Sequence, residues 1–106
     1  MTYEIKIPEK VIVRQILGYL RAIGSHCGKV KTMGVKRGKV FCFDPFLMRG
    51  VPDILCFFNR SMYFIEVKAK NNHQSPEQKT FQKQCVSSSV NYILAYSLED
   101  VQKIIH

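Results

Sequence analysis

The chain has 106 residues, with 16 Lys and Arg against 8 Asp and Glu, a formal net charge of +8 and 46% hydrophobic content. That length supports one domain with one core, here residues 1–106, and that apolar content excludes wholesale disorder. No apolar run approaches the ~20 residues of a membrane span, and the start, MTYEIKIPEK, carries acids and no apolar stretch of the kind that directs secretion.

Residues 9–23 read as an amphipathic helix. Val13, Ile16, Leu17, Leu20 and Ile23 recur at the i, i+3, i+4, i+7 spacing of one helical face. Pro8 suits the first turn, and Gly24 stops the helix. Residues 29–33 and 39–43 suit two strands joined around residues 34–38, with turn signals at Asp44-Pro45 and Arg49-Gly50. Residues 54–58 and 62–67 are rich in Ile, Val, Phe and Tyr, and the Asn59-Arg60-Ser61 step between them predicts a tight hairpin. A second helix is expected over 75–88, a strand over 91–96 and a closing helix over 98–105. The strands flanking the second helix should then be parallel, because the link between them passes through a helix. The fold class is α/β, a mixed sheet flanked by helices in the order α-β-β-β-β-α-β-α.

Charge is uneven along this order. Between Lys10 and Phe43 lie Lys10, Arg14, Arg21, Lys29, Lys31, Lys36, Arg37 and Lys39, and no acid. A sustained positive field suits a polyanion, nucleic acid being the commonest, although a merely solvated basic face has the same composition. Phosphate contacts are expected from Lys29, Lys31, Lys36, Arg37, Lys39, Arg49 and Lys70. Cys27, Cys42, Cys56 and Cys85 contain no C-x-x-C, and His26, His73 and His106 add no zinc-ligand spacing. With no secretion signal, reduced thiols in a cytoplasmic setting are expected.

Two strands carry the residues with chemical potential. Glu66 and Lys68 are two apart, so both point to one face, while Ile65 and Val67 point to the other. Asp53 opens the partner strand, close enough to Glu66 for the two carboxylates to share a hard cation such as Mg²⁺ or Mn²⁺. A cross-strand ion pair between Lys68 and the acids explains the same pattern.

Gly50-Val51-Pro52-Asp53, Glu66-Val67-Lys68 and Ser75-Pro76-Glu77-Gln78, in this order, resemble the VRR-NUC group of the PD-(D/E)xK nuclease superfamily. The resemblance takes in Glu9 at the head of the first helix and Tyr96-Ser97-Leu98-Glu99-Asp100-Val101 near the end. It implies a restriction-endonuclease-like core and divalent-metal hydrolysis of phosphodiesters. By the same resemblance Asp53, Glu66 and the carbonyl of Val67 would be metal ligands, joined directly or through water by Glu9. Lys68 would position the attacking water, and Gln78 would orient Lys68 or that water. Gln78 also completes a capping box with Ser75, and Glu9 is an acid that a helix N-terminus favours. Short members of this group, encoded by phages, resemble Holliday junction resolvases. A homodimer acting on branched DNA in a bacterial host cytoplasm is therefore expected, with flap, fork or nicking cleavage and a non-catalytic DNA-binding role as alternatives. Phe41, Phe43, Phe46, Leu47 and Met48 offer a dimer surface, but core packing explains them slightly better.

Overall fold

The computed structural model describes residues 6–30, 35–37, 40–42 and 45–106, with 35–37 and 40–42 described by backbone alone. The first helix, α1 (Glu9–Ala22), buries Ile12, Val13, Ile16, Leu17 and Leu20. Three short strands follow: β1 (His26–Lys29), β2 (Val35–Arg37) and β3 (Val40–Cys42). Then come the two strong strands β4 (Ile54–Phe58) and β5 (Ser61–Val67), the helix α2 (Pro76–Ser87), β6 (Asn91–Ala95) and α3 (Leu98–Gln102). One sheet has the order β1-β4-β5-β6, and β2 and β3 form a separate antiparallel pair. β4 pairs antiparallel with both neighbours, whereas β5 and β6 run parallel after the α2 crossover.

Side-chain alternation divides the central sheet into two faces. On one, Ile54, Cys56, Ile65, Val67, Ile93 and Ala95 join the buried face of α1 and Val101 and Ile105 in a single core. Ile16, Leu20, Ile54 and Ile65 are wholly buried, each contributing about 1.5–3 kcal/mol of apolar burial. Tyr19 ties the end of the chain to this layer, its hydroxyl donating to the carbonyl of Ile105 at 2.7 Å. The opposite face carries Phe64 and Glu66 under α2, where Phe81 meets Phe64 edge-on at a ring separation of 5.1 Å.

The helix ends follow from local chemistry. Gly24 takes φ +89°, its N–H bonds to Arg21, and the Ser25 N–H reaches back to Leu20, closing α1 with a double-bonded cap. α2 ends the same way, with Ser89 at φ +57° in the position Gly usually holds. Asn59 and Arg60 make the two-residue β4–β5 turn, both at positive φ.

The parallel crossover, the hairpin and both long helices agree with the sequence to within a residue at each end, while the closing helix stops at Gln102, short of the expected 105. The region before β4 differs more. The order contains one more strand than expected, α-β-β-β-β-β-α-β-α. Of the expected strand 29–33, Lys29 ends β1, Val30 lies outside it and 31–33 are outside the described residues, while β2 falls inside the expected 34–38 connection. His26-Cys27-Gly28-Lys29 has no apolar run to announce it; its pairing with the edge of β4 makes it a strand. Among the described residues no helix is long and apolar enough to cross a membrane.

Two positions carry side chains where the backbone favours Gly. Arg60→Gly and Ser89→Gly should each raise stability by about 1 kcal/mol, read as a rise in Tm of about 4 °C by calorimetry.

Candidate active site

The antiparallel register of β4 and β5 ends at Ile54 opposite Ile65. One step further, Asp53 stands across from Glu66 on the α2 face. There the side chain of Asp53 replaces the main-chain partner that a longer β4 would have supplied. Its Oδ2 accepts the N–H of Val67 at 2.8 Å. Its own carbonyl accepts the N–H of Val30 at 3.1 Å. Asp53 is thus fixed from both sides at the mouth of the sheet.

Glu66 has no exposed surface. Burying a carboxylate is expensive unless it is hydrogen-bonded and its charge is offset. The Nε2 of Gln78 donates to Oε1 at 2.9 Å, and the Lys68 ammonium stands 3.7 Å from the same oxygen. Lys68 is itself anchored, its N–H donating to the Ala95 carbonyl beyond the last paired residues of β5 and β6.

Gln78 completes the helix cap and bonds Glu66 with the same side chain. Its Oε1 accepts the N–H of Ser75 at 2.8 Å, and Ser75 Oγ accepts the Gln78 N–H at 3.2 Å, completing the capping box. The other end of the same amide holds Glu66. The helix cap therefore fixes the rotamer that serves the carboxylate.

Gly50 connects the Asp53 loop to this assembly. It takes φ +74°, and a Cβ there would lie 2.8 Å from the Gln78 nitrogen and nearer still to the Glu77 carbonyl. The loop leading to Asp53 rests directly on the first turn of α2, where only Gly fits.

Glu9 stands in the first turn of α1. Its Oε1 accepts the Ala69 N–H at 3.1 Å and the Asn72 side-chain amide at 2.9 Å, so it ties the head of α1 to the exit of β5. Among the described residues no three His, Cys, Asp or Glu side chains are grouped as metal ligands. Oxygen donors suited to a hard cation are nevertheless together in the carboxylates of Asp53 and Glu66 and the main chain of Val67 between Glu66 and Lys68.

Sequence reasoning missed Tyr92 and Gln74. Tyr63 and Tyr92 sit at strand positions and look like ordinary sheet residues. Only the parallel register, Phe64 beside Tyr92 and Glu66 beside Leu94, brings Tyr92 to the carboxylate face. Its hydroxyl accepts from Gln74 Nε2 at 3.0 Å. Burial pushes its pKa up to about 12, and the negative charges of Glu66 and Asp53 push the same way while the Gln74 bond opposes them. The phenol is a fixed neutral donor at ordinary pH.

Of the expected phosphate contacts, Lys29, Arg49 and Lys70 are exposed. Lys31 and Lys39 lie outside the described residues, and Lys36 and Arg37 are described by backbone alone, in β2. Core packing does not hold for the described part of the apolar segment: Phe46 is 93% and Met48 70% exposed, and Leu47 is exposed too, because the turn at 45–48 projects from the body. Phe43 lies outside the described residues and Phe41 is described by backbone alone. Cys27, Cys56 and Cys85 are free thiols, and burial raises the pKa of Cys56 and Cys85, which keeps them protonated and unreactive.

No protein-family model and no curated protein matches the chain. A solved structure of a VRR_NUC domain matches it with a TM-score of 0.66 over 91% of each chain, at 20% identity. The fold is therefore that of a VRR_NUC domain, a mixed sheet flanked by helices as the sequence implied.

Gln78→Leu should cost about 2–3 kcal/mol, because it strips both the cap and the donor to a buried carboxylate. Glu66→Gln in the same chain should recover part of that loss, measured by guanidinium unfolding of both single variants and the pair. Gly50→Ala should cost more than the roughly 1–2 kcal/mol of a left-handed residue alone, since backbone atoms occupy the Cβ position. Stability should also fall as pH rises from about 10, where the unfolded tyrosine ionises, to about 12, where Tyr92 ionises in the fold. The folded state holds the proton more tightly, so stability is full below this interval and is lost across it. Tyr92→Phe should flatten the decline in urea midpoints measured between the two pH values.

Proposed function

We propose that the protein is a divalent-metal-dependent nuclease that hydrolyses phosphodiester bonds in branched or otherwise structured DNA, and that it works as a homodimer. The observation that carries this reading is the wholly buried Glu66, held by Gln78 and Lys68 beside Asp53 at the open end of two strands. A merely structural ion pair is usually exposed and weak. A carboxylate kept charged inside the fold, with a lysine two residues further along the same strand face, is arranged for chemistry.

The donor set fits Mg²⁺ or Mn²⁺. Such ions take hard oxygen ligands, and Mg²⁺ commonly uses one or two carboxylates together with waters and substrate phosphate. Asp53, Glu66 and the Val67 carbonyl would hold the ion, and a third acid is not required. When bound, the metal would withdraw charge from the phosphate and make hydroxide available near neutral pH. Lys68 would orient the attacking water and offset the negative charge that develops on the phosphoryl oxygens. Gln78 would keep Glu66 and, through it, Lys68 in position. Glu9 would hold the end of β5 on which Lys68 stands and reach the ion at most through water.

The similar solved structure is of a VRR_NUC domain, and this supports nuclease chemistry for a chain with the same fold. The net charge of +8 supports a polyanionic substrate. Two-fold branched DNA would present equivalent strands to the two sites of a two-fold dimer.

The test is a labelled panel of four-way junction, flap, fork, linear duplex and single strand, with Mg²⁺, Mn²⁺ or EDTA. Paired symmetric incisions in the junction, abolished by EDTA, are expected, together with a dimer mass by light scattering. Asp53→Asn and Glu66→Gln should lower the cleavage rate at least about a hundredfold, while Glu66→Gln keeps or raises Tm because it removes a buried charge. Flap or single-strand cutting would retain the nuclease and remove the junction reading. Tight binding without cutting in either metal would overturn the mechanism.

A further inference from the structure

The outer surface of α2 and Gln74 before it form a groove of about 680 Å³ lined by Gln74, Lys79, Gln82, Lys83, Val86 and Ser87. These residues are distinct from Gln78 and Lys68, which hold Glu66. Lys79 and Lys83 are four apart, so they stand one above the other on the same face of the helix, and both are exposed. Among the described residues no acid lines the groove.

Gln74 is common to the groove and the site. It lines the groove, and its amide donates to Tyr92, whose phenol lies within the fields of both Glu66 and Asp53. The Tyr92 oxygen accepts that bond, which leaves its own proton to donate. Gln74 thus links the face that carries the carboxylates, through Tyr92, to a groove with two ammonium groups four residues apart on one helix. Paired positive charges on one helix face suit a ligand with repeated negative charge.

We propose that this groove binds the sugar-phosphate backbone of the nucleic-acid strand leading away from the carboxylate pair. In it Lys79 and Lys83 contact successive phosphates, and Gln74 and Tyr92 guide the strand to the reacting phosphate. The proposal rests on the nuclease reading and adds to it the direction in which the substrate strand runs. Contacts of this kind position the strand and carry no sequence preference.

The experiment is fluorescence anisotropy of labelled duplex and single-stranded oligonucleotides in EDTA, over a series of KCl concentrations. The proteins are the wild type, Lys79→Ala/Lys83→Ala, Tyr92→Phe and a control pair in the opposite layer, Arg21→Ala in α1 and Lys103→Ala just after α3. Removing one phosphate-binding charge should lower the slope of log affinity against log salt by about one. In the groove pair the slope should therefore fall by about two and in the control pair not at all, with unchanged circular dichroism in both. Tyr92→Phe should weaken binding with no change of slope, because it removes a neutral donor. An unchanged slope in the groove pair, or an equal fall in the control pair, would overturn the proposal. If the wild type cuts DNA with metal and the groove pair keeps its slope, the groove assignment fails and the nuclease stands. If the wild type neither binds nor cuts, both fall.

Discussion

Everything at the open end of the sheet depends on holding one carboxyl group out of water. Glu66 is wholly buried, and a buried carboxylate without support neutralises or unfolds its surroundings. The support comes from two directions: an amide from the first turn of α2 and an ammonium from the next residue on the same strand face. Each supporter is in turn fixed by the main chain, Gln78 through the Ser75 cap and Lys68 through the Ala95 carbonyl. Secondary structure that any α/β domain would need is thereby used to set the geometry of a buried carboxyl group.

Close packing at Gly50 extends this dependence to Asp53. The loop before β4 lies against the backbone of Glu77 and Gln78, so the two carboxylates share one structural reference, the start of α2. Three short motifs separated by many residues become one object because a glycine permits close approach and a capped helix supplies the surface. On the other side of the strand exit, Glu9 performs a comparable service for Ala69 and Asn72, fastening the α1 layer to the segment that carries Lys68.

What was legible in the sequence follows from range. Periodicities of two and 3.6 residues are local, so α1, α2, β4, β5 and β6 could be read directly. Asp53, Glu66 and Lys68 could be placed together because a tight hairpin makes their register arithmetic. Gln78 was legible as a cap, whereas its bond to Glu66 shows only in the folded chain. β1 was not legible, since His26-Cys27-Gly28-Lys29 takes its strand character from β4 rather than from its own residues. Tyr92 was missed for a similar reason: its face is set by a parallel register that no local pattern encodes. The exposure of Phe46, Leu47 and Met48 was also hidden, because an apolar run on a projecting turn has the same composition as one in a core.

The parallel pairing of β5 with β6 has a bearing on how the molecule comes into being. Antiparallel β4 and β5 can zip from their two-residue turn, whereas β6 must wait until the α2 crossover has closed, and non-local pairing of this sort forms slowly. Lys68 takes its main-chain anchor from β6, and Gln78 reaches Glu66 only once α2 lies over the sheet. The Gln78 amide and the main-chain anchor of Lys68 therefore arrive at the end of folding, and a partly folded or nascent chain carries the hairpin with both acids but without these two supports. The geometry around Glu66 is in this way a reporter of completed topology: it is whole only once the crossover helix and the parallel strand are both in place.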